Sequence, residues 1–225
     1  MKTFGGLHDQ DASEGSRIRA FLKLGVVRVM PQLGPRGHAL INFRFRLTRP
    51  DEFSAEQVLA GIHYVMLKTL ARSPKIQVAG VIVMSDMGGA GFHNLDREVP
   101  KKVLSMVNKN IPLRMAGIFI FRPNFMLQIV LPLMKLFMSS KLQRRLNVMN
   151  EVEEIEEFGV DKALRPVELG GTLTPLAHVQ ALWEEDGWNI TWVGVEGNDP
   201  VLIVGSGDSK EDDDDDATEV CDVSL

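Results

Sequence analysis

The sequence predicts an α/β fold, and three observations predict it. Residues 78–84 and 115–121 are short apolar runs of strand length, and between them residues 100–110 form an amphipathic stretch of helix length. Upstream, residues 41–47 alternate apolar and polar side chains. Strand, helix, strand, helix in that order is the signature of crossover connections in a largely parallel sheet.

Taken in order, the elements have separate grounds. Residues 1–17 are rich in Gly, Asp, Ser and Gln and are expected to be loosely held. Pro31, Gly34, Pro35 and Gly37 mark a turn. After it, Ile41, Phe43, Phe45 and Leu47 point one way and Asn42, Arg44 and Arg46 the other, as in a half-buried strand. Ser54 is placed to cap a helix in which Val58, Leu59, Ile62, Val65, Met66 and Leu70 recur at helical spacing, a face suited to packing on a sheet. Residues 78–84, entered from Pro74 and stopped by Gly88, Gly89 and Gly91, read as a buried parallel strand, and residues 115–121 repeat the pattern. In the intervening helix, Val103, Leu104 and Val107 share a side, with Lys101, Lys102, Ser105 and Lys109 elsewhere.

Composition narrows the class. A chain of 225 residues with 44% hydrophobic residues buries a substantial core and favours one globular domain. The net charge of −5 comes from one place: Glu211 and Asp212 to Asp216 supply six acids, and without them the balance is +1 (−5 + 6). The single cysteine, Cys221, excludes a disulfide or a thiolate zinc site within the chain and suits a reducing, cytoplasmic compartment. Residues 1–19 carry Asp9, Asp11 and Glu14 and do not read as a signal peptide.

Residues 125–138 are apolar apart from Gln128 and Lys135. About fourteen residues make a helix of about 21 Å, too short for a bilayer core of about 30 Å. Gln128, Pro132, Lys135 and Ser139 line one narrow stripe, leaving apolar surface on most of the circumference. Such a helix is either sandwiched in the core or is a lid with one face over a cavity and another toward lipid. Lys141, Arg144 and Arg145 follow on what reads as one helical face, the pairing of charge and apolar surface that contacts anionic headgroups.

Five short motifs in order carry a resemblance. A strand ends Met84-Ser85-Asp86-Met87-Gly88-Gly89. Ile111-Pro112-Leu113-Arg114-Met115 leads into the next strand, which ends Arg122-Pro123-Asn124-Phe125. Lys135-Leu136-Phe137-Met138-Ser139-Ser140-Lys141-Leu142-Gln143-Arg144-Arg145 follows, and then Arg165-Pro166-Val167-Glu168-Leu169-Gly170-Gly171-Thr172. Together they resemble the CRAL-TRIO, or Sec14-like, lipid-binding domain, and within it the branch of the α-tocopherol transfer and cellular retinaldehyde-binding proteins. The resemblance implies a mixed sheet floor, flanking helices, and a mobile gate helix over an apolar cavity. Phe125, Ile129, Val130, Leu133 and Phe137 would then form the gate and line the ligand, and Lys141 and Arg145 match phosphoinositide-binding positions with Arg144 an extra cation. The turn at 166–171 would close the domain. Two departures stand out. Leu113 replaces a glutamate of the yeast-type phosphatidylinositol carriers, which argues against phosphatidylinositol inside the cavity. The family's helical N-terminal subdomain has only about thirty residues standing in its place, so either the chain is truncated or its gate is less restrained.

The expected organisation is an N-terminal segment (1–28), a lipid-binding domain (29–175), a C-terminal extension (176–204) carrying Trp183, Trp188 and Trp192, and an acidic, disordered tail (205–225). The expected function is non-enzymatic: a lipid carrier that docks transiently on phosphoinositide-containing membrane, with no cofactor, no metal and no nucleic acid. Asn94 breaks the glycine spacing after Gly89 and Gly91 that a dinucleotide loop needs, and His8, His38, His63, His93 and His178 are scattered. The alternative is a scaffold of the same fold that recruits a protein partner through its acidic tail. Ser209 precedes acids as a kinase site does, and Val223 to Leu225 is a faint PDZ-type ending.

Overall fold

The computed structural model describes residues 12–109, 113–173, 190–193 and 201–204. Helix α1 (Ala12–Lys23) leads into a five-stranded mixed sheet ordered β1 (Val27–Leu33), β2 (Ala39–Arg44), β3 (Val81–Asp86), β4 (Met115–Phe121) and β5 (Leu146–Met149). The β1–β2 pair is antiparallel and the other three pairs are parallel. Each parallel step moves one strand further in the same direction, so right-handed crossovers place the connecting helices on one face. These helices are α2 (Ala55–Ala71) and α3 (Pro74–Ala79), α4 (Glu98–Lys109), then α5 (Phe125–Phe137) and α6 (Ser140–Gln143).

The core divides accordingly. On the helix side, Val29, Ile41 and Val81 pack against Phe21, Ile62 and Val65, while Ile118 and Ile120 pack against Leu104, Met126 and Val130. On the opposite side, Leu40, Met84, Phe119 and Phe121 lie under Ile155 and Leu169, from 3-10 turns at 152–158 and 167–169, and under Val160 between them. Helix α1 approaches α2 closely because Gly61 has no Cβ; one placed there would lie 2.6 Å from the Phe21 ring. A separate antiparallel pair joins β6 (Ile190–Val193) to β7 (Val201–Val204).

The α/β expectation agrees with this architecture, and β4 and α5 begin where the apolar patterns begin. Helix α2 has the expected Ser54 cap: Ser54 Oγ accepts from Gln57 N at 3.3 Å and Gln57 Oε1 accepts from Ser54 N at 3.1 Å. Four expectations are corrected. Residues 12–17 belong to a helix rather than a loose segment. The strand expected over 41–47 ends at Arg44, because Asn94 Nδ2 donates to the carbonyls of Arg46 and Thr48 and holds residues 45–47 in a 3-10 turn. Val78 lies in α3, largely exposed, and the strand starts only at Val81 after Gly80 turns the chain with φ +95°. The turn expected from Pro31 starts only beyond Leu33, because Pro31 still lies in β1, and residues 146–149 form a further strand. The expectations for residues 1–11, His8, His178, Trp183, Trp188, Ser209, Cys221 and the acidic tail lie outside the described residues.

Candidate functional site

Helix α5 has two apolar faces, as its composition requires. Met126, Leu127 and Val130 are buried over Ile118, Ile120, Leu104 and Met87, with Leu131 and Met134 packed at the margin. On the other side Phe125, Ile129, Pro132 and Leu136, spaced by four, three and four residues, form one exposed apolar stripe together with Gln128 and Lys135. Exposure reaches 79% at Leu136 and 65% at Phe125. Phe92, from the loop after β3 and 60% exposed, meets Phe125 edge-on with ring centroids 6.3 Å apart, so the stripe continues beyond the helix. The stripe is open to solvent with Gln128 and Lys135 set among its apolar members, and isolated exposed apolar residues would not align in this way.

The expected ligand-lining residues therefore separate. Val130 is buried against the core and Leu133 is half-buried, whereas Phe125, Ile129 and Phe137 are exposed; the Phe137 ring also carries Lys101 Nζ 5.8 Å from its centroid. At the amino end, Asn124 Nδ2 donates to the carbonyls of Met87 (3.1 Å) and Ala90 (2.8 Å). At the carboxyl end, Gln143 Nε2 donates to the carbonyls of Lys135 (2.9 Å) and Met138 (3.0 Å).

The three expected cations separate as well. Helix α6 is capped by Ser139, whose Oγ accepts from Leu142 N at 3.3 Å, and it projects Lys141 and the following Arg144 into solvent. Among the described residues neither of these two has an ion-pair partner. Arg145 lies beyond the helix: its guanidinium donates to the Met115 carbonyl and its own carbonyl accepts from Ile118 N at 2.8 Å, so it stitches β5 to β4. The single helical face expected for all three is corrected to a pair, because α6 ends at Gln143 with Arg144 as its cap and Arg145 already bonds into the sheet.

One cluster escaped the sequence reading. On the sheet face away from the helices, Arg28, Asn42 and Arg44 are buried, with Arg28 Nη2 donating to Asn42 Oδ1 at 2.8 Å. Glu168, from the 166–171 turn, reaches them with Oε1 3.0 Å from Arg28 Nη1 and 3.5 Å from Arg44 Nη1. Burial by itself would raise the Glu168 carboxyl, but Arg28, a backbone N–H and Arg44 outweigh it, and the net shift is downward. The strand alternation signalled which residues share this face; it did not signal that the face is covered. Among the described residues no group of three or more His, Cys, Asp or Glu could hold a metal ion, and no helix is long and apolar enough to cross a membrane.

Comparison with known proteins gives concordant results. Residues 25–171 match the family described as CRAL/TRIO domain. The α-tocopherol transfer protein-like proteins of Homo sapiens and Pongo abelii are each 22% identical over 160 residues, covering 70% of this chain and 46% of theirs. The tyrosine-protein phosphatase non-receptor type 9 of Mus musculus is 22% identical over 154 residues, 68% of this chain but 26% of that protein. The chain thus spans less than half the length of these relatives. Among solved structures, Sfh5 aligns with a TM-score of 0.57 at 14% identity, over 75% of this chain and 67% of that one, a likeness of fold.

Proposed function

Because the chain belongs to the CRAL/TRIO domain family, we propose that it carries one apolar lipid beneath α5 and exchanges it at anionic, phosphoinositide-containing membranes. The observation that carries this reading is the double-faced α5. Its inner face rests on apolar side chains that form no directional bonds, and its outer stripe of Phe125, Ile129, Pro132 and Leu136, extended by Phe92, has the chemistry of an acyl boundary. Lys141 and Arg144 stand beside the carboxyl end of that stripe, where they would contact phosphate headgroups as the apolar surface sinks. Opening α5 would expose its inner face to bilayer rather than water, so a lipid could pass between cavity and membrane without being hydrated. No covalent step is involved, and the association is transient and peripheral on the cytoplasmic side. Residues 29–175 form the carrying unit in this reading.

Binding energy for the ligand comes from apolar area, at about 25 cal/mol per Å² removed from water. Charges at the rim then govern exchange and not retention. The test is native mass spectrometry of the purified chain, followed by organic extraction and identification of what was bound. A stoichiometric lipid is the expected result. A chain that is empty on purification and also takes up no fluorescent tocopherol, retinoid or phospholipid would refute the proposal and favour the scaffold alternative.

A further inference from the structure

The connection between β4 and α5 has an unusual backbone. Arg122 adopts φ +50°, in the left-handed region that non-glycine residues rarely occupy, although nothing about an arginine suits it to that conformation. Such a conformation persists only where surrounding contacts hold it. The contacts here are specific. Arg122 Nε donates to Asp86 Oδ1 at 2.9 Å, and Nη2 donates to Asp86 Oδ2. Asp86 is 1% exposed at the end of β3, and its Oδ1 also accepts from Gly88 N at 2.9 Å. The guanidinium lies directly over Gly88: a Cβ there would stand 2.6 Å from Arg122 Nε and 2.8 Å from Cζ. Two residues further on, Asn124 bonds the same loop through Met87 and Ala90.

The opposite end of α5 is held differently. All three fully buried residues of the helix, Met126, Leu127 and Val130, precede Pro132, and none follows it within the helix. Pro132 has no N–H to offer the preceding turn, which weakens the ladder between the two halves. We propose that Arg122, Asp86 and Gly88 form a clamp that fixes the amino end of α5, so that the helix opens by swinging the half beyond Pro132. Arg122 and Asp86 are positioning residues, acting on the ligand only through α5. The inference rests on α5 being the gate and adds which end moves and what holds the other. Arg122 is also the wrong cation to be drawn off by a headgroup. Its side chain is 43% exposed, but leaving would strand the buried Asp86 carboxylate without its partner.

Hydrogen exchange on the chain alone, without lipid or vesicles, tests the clamp. In the unmodified protein, amides of residues 127–131 should exchange at least about tenfold more slowly than those of residues 133–137. R122G removes the guanidinium while relieving the backbone, and G88A displaces the guanidinium without altering any charge. Each should speed residues 127–131 by about tenfold and leave α2 unchanged, with R122K, which keeps the charge but not the fork, recovering part of the protection. Equal exchange in the two halves of unmodified α5, or unaltered protection in both R122G and G88A, would overturn the clamp. Because no lipid enters the measurement, a chain that carries none would cost the gate reading and leave this outcome to stand or fall by itself.

Discussion

Substituting Leu136 by Gln isolates the proposed membrane-facing role of α5 from its structural one. Leu136 is 79% exposed, so the folded protein has almost no buried area to lose at this position. A leucine side chain fully removed from water is worth about 1.5–3 kcal/mol, and four fifths of that is about 1.2–2.4 kcal/mol if the stripe sinks into the acyl boundary. That corresponds to roughly 8- to 60-fold weaker vesicle binding at 1.36 kcal/mol per decade. The assay is co-sedimentation with vesicles containing an anionic phospholipid, at physiological salt and at about 1 M, where the screening length falls from about 8 to about 3 Å. L136Q should lose the same factor at both, since apolar insertion is indifferent to screening. Leu67, also exposed but on α2 away from the stripe, supplies the control, and L67Q should bind as the unmodified chain does. If L136Q binds within about twofold of the unmodified protein at both salt concentrations, the stripe does not enter the membrane and the reasoning fails.

K141A and R144A should each weaken vesicle binding by about 1 kcal/mol at physiological salt, an effect that fades near 1 M, with ligand retention unchanged. R145A should behave otherwise: because Arg145 holds the Met115 carbonyl, its loss should lower the melting temperature more than it lowers vesicle affinity. Glu168 has a depressed carboxyl pKa, so its contribution to stability is complete above the ordinary glutamate value of 4.5 and is lost as the pH falls through the depressed one. E168Q should therefore cost on the order of 3 kcal/mol in urea denaturation at pH 7 and flatten the acid limb of the stability profile; an unchanged limb would mean that other carboxylates set it. Deleting Glu211 to Asp216 should strengthen binding to anionic vesicles if that run competes for the basic edge, and unchanged binding would remove the tail from the mechanism.

What the sequence reveals depends on how local the determining interactions are. Helix α5 and strand β4 are legible because their apolar patterns are long and unbroken, and α2 because Ser54 and Gln57 cap it reciprocally through their own backbone. Helix α1 is not, since its packing face in a polar segment is only Ile18, Phe21 and Leu22, and it is α2 that gives that face a use. Four residues of β5 carry no period that separates strand from helix, so helical spacing groups Arg145 with Lys141 although the sheet claims it. The polar side of β2 looks like a solvent face in one dimension. It becomes a buried ionic cluster when the 152–173 segment, more than a hundred residues later, folds across it and delivers Glu168.

That cluster bears on which face of the sheet can open. An ion pair inside a protein is directional, and separating it part-way exposes a desolvated charge at once, so an element tied down by such pairs stays shut or leaves altogether. Contacts between apolar side chains have no preferred direction and weaken in proportion to the area uncovered. The chain places Arg28, Asn42, Arg44 and Glu168 under the turn at 166–171, whereas under α5 the sheet offers Ile118 and Ile120. Motion on the first side would meet a steep barrier; on the second it meets a graded one, made smaller where membrane instead of water receives the uncovered surface. In the proposed carrier, a lipid between α5 and the sheet would thus lie on the face whose contacts can be exchanged for those of a bilayer, and the clamp proposed at Arg122 lies at the boundary between the two regimes, where the buried Asp86 carboxylate would fix one end of the helix.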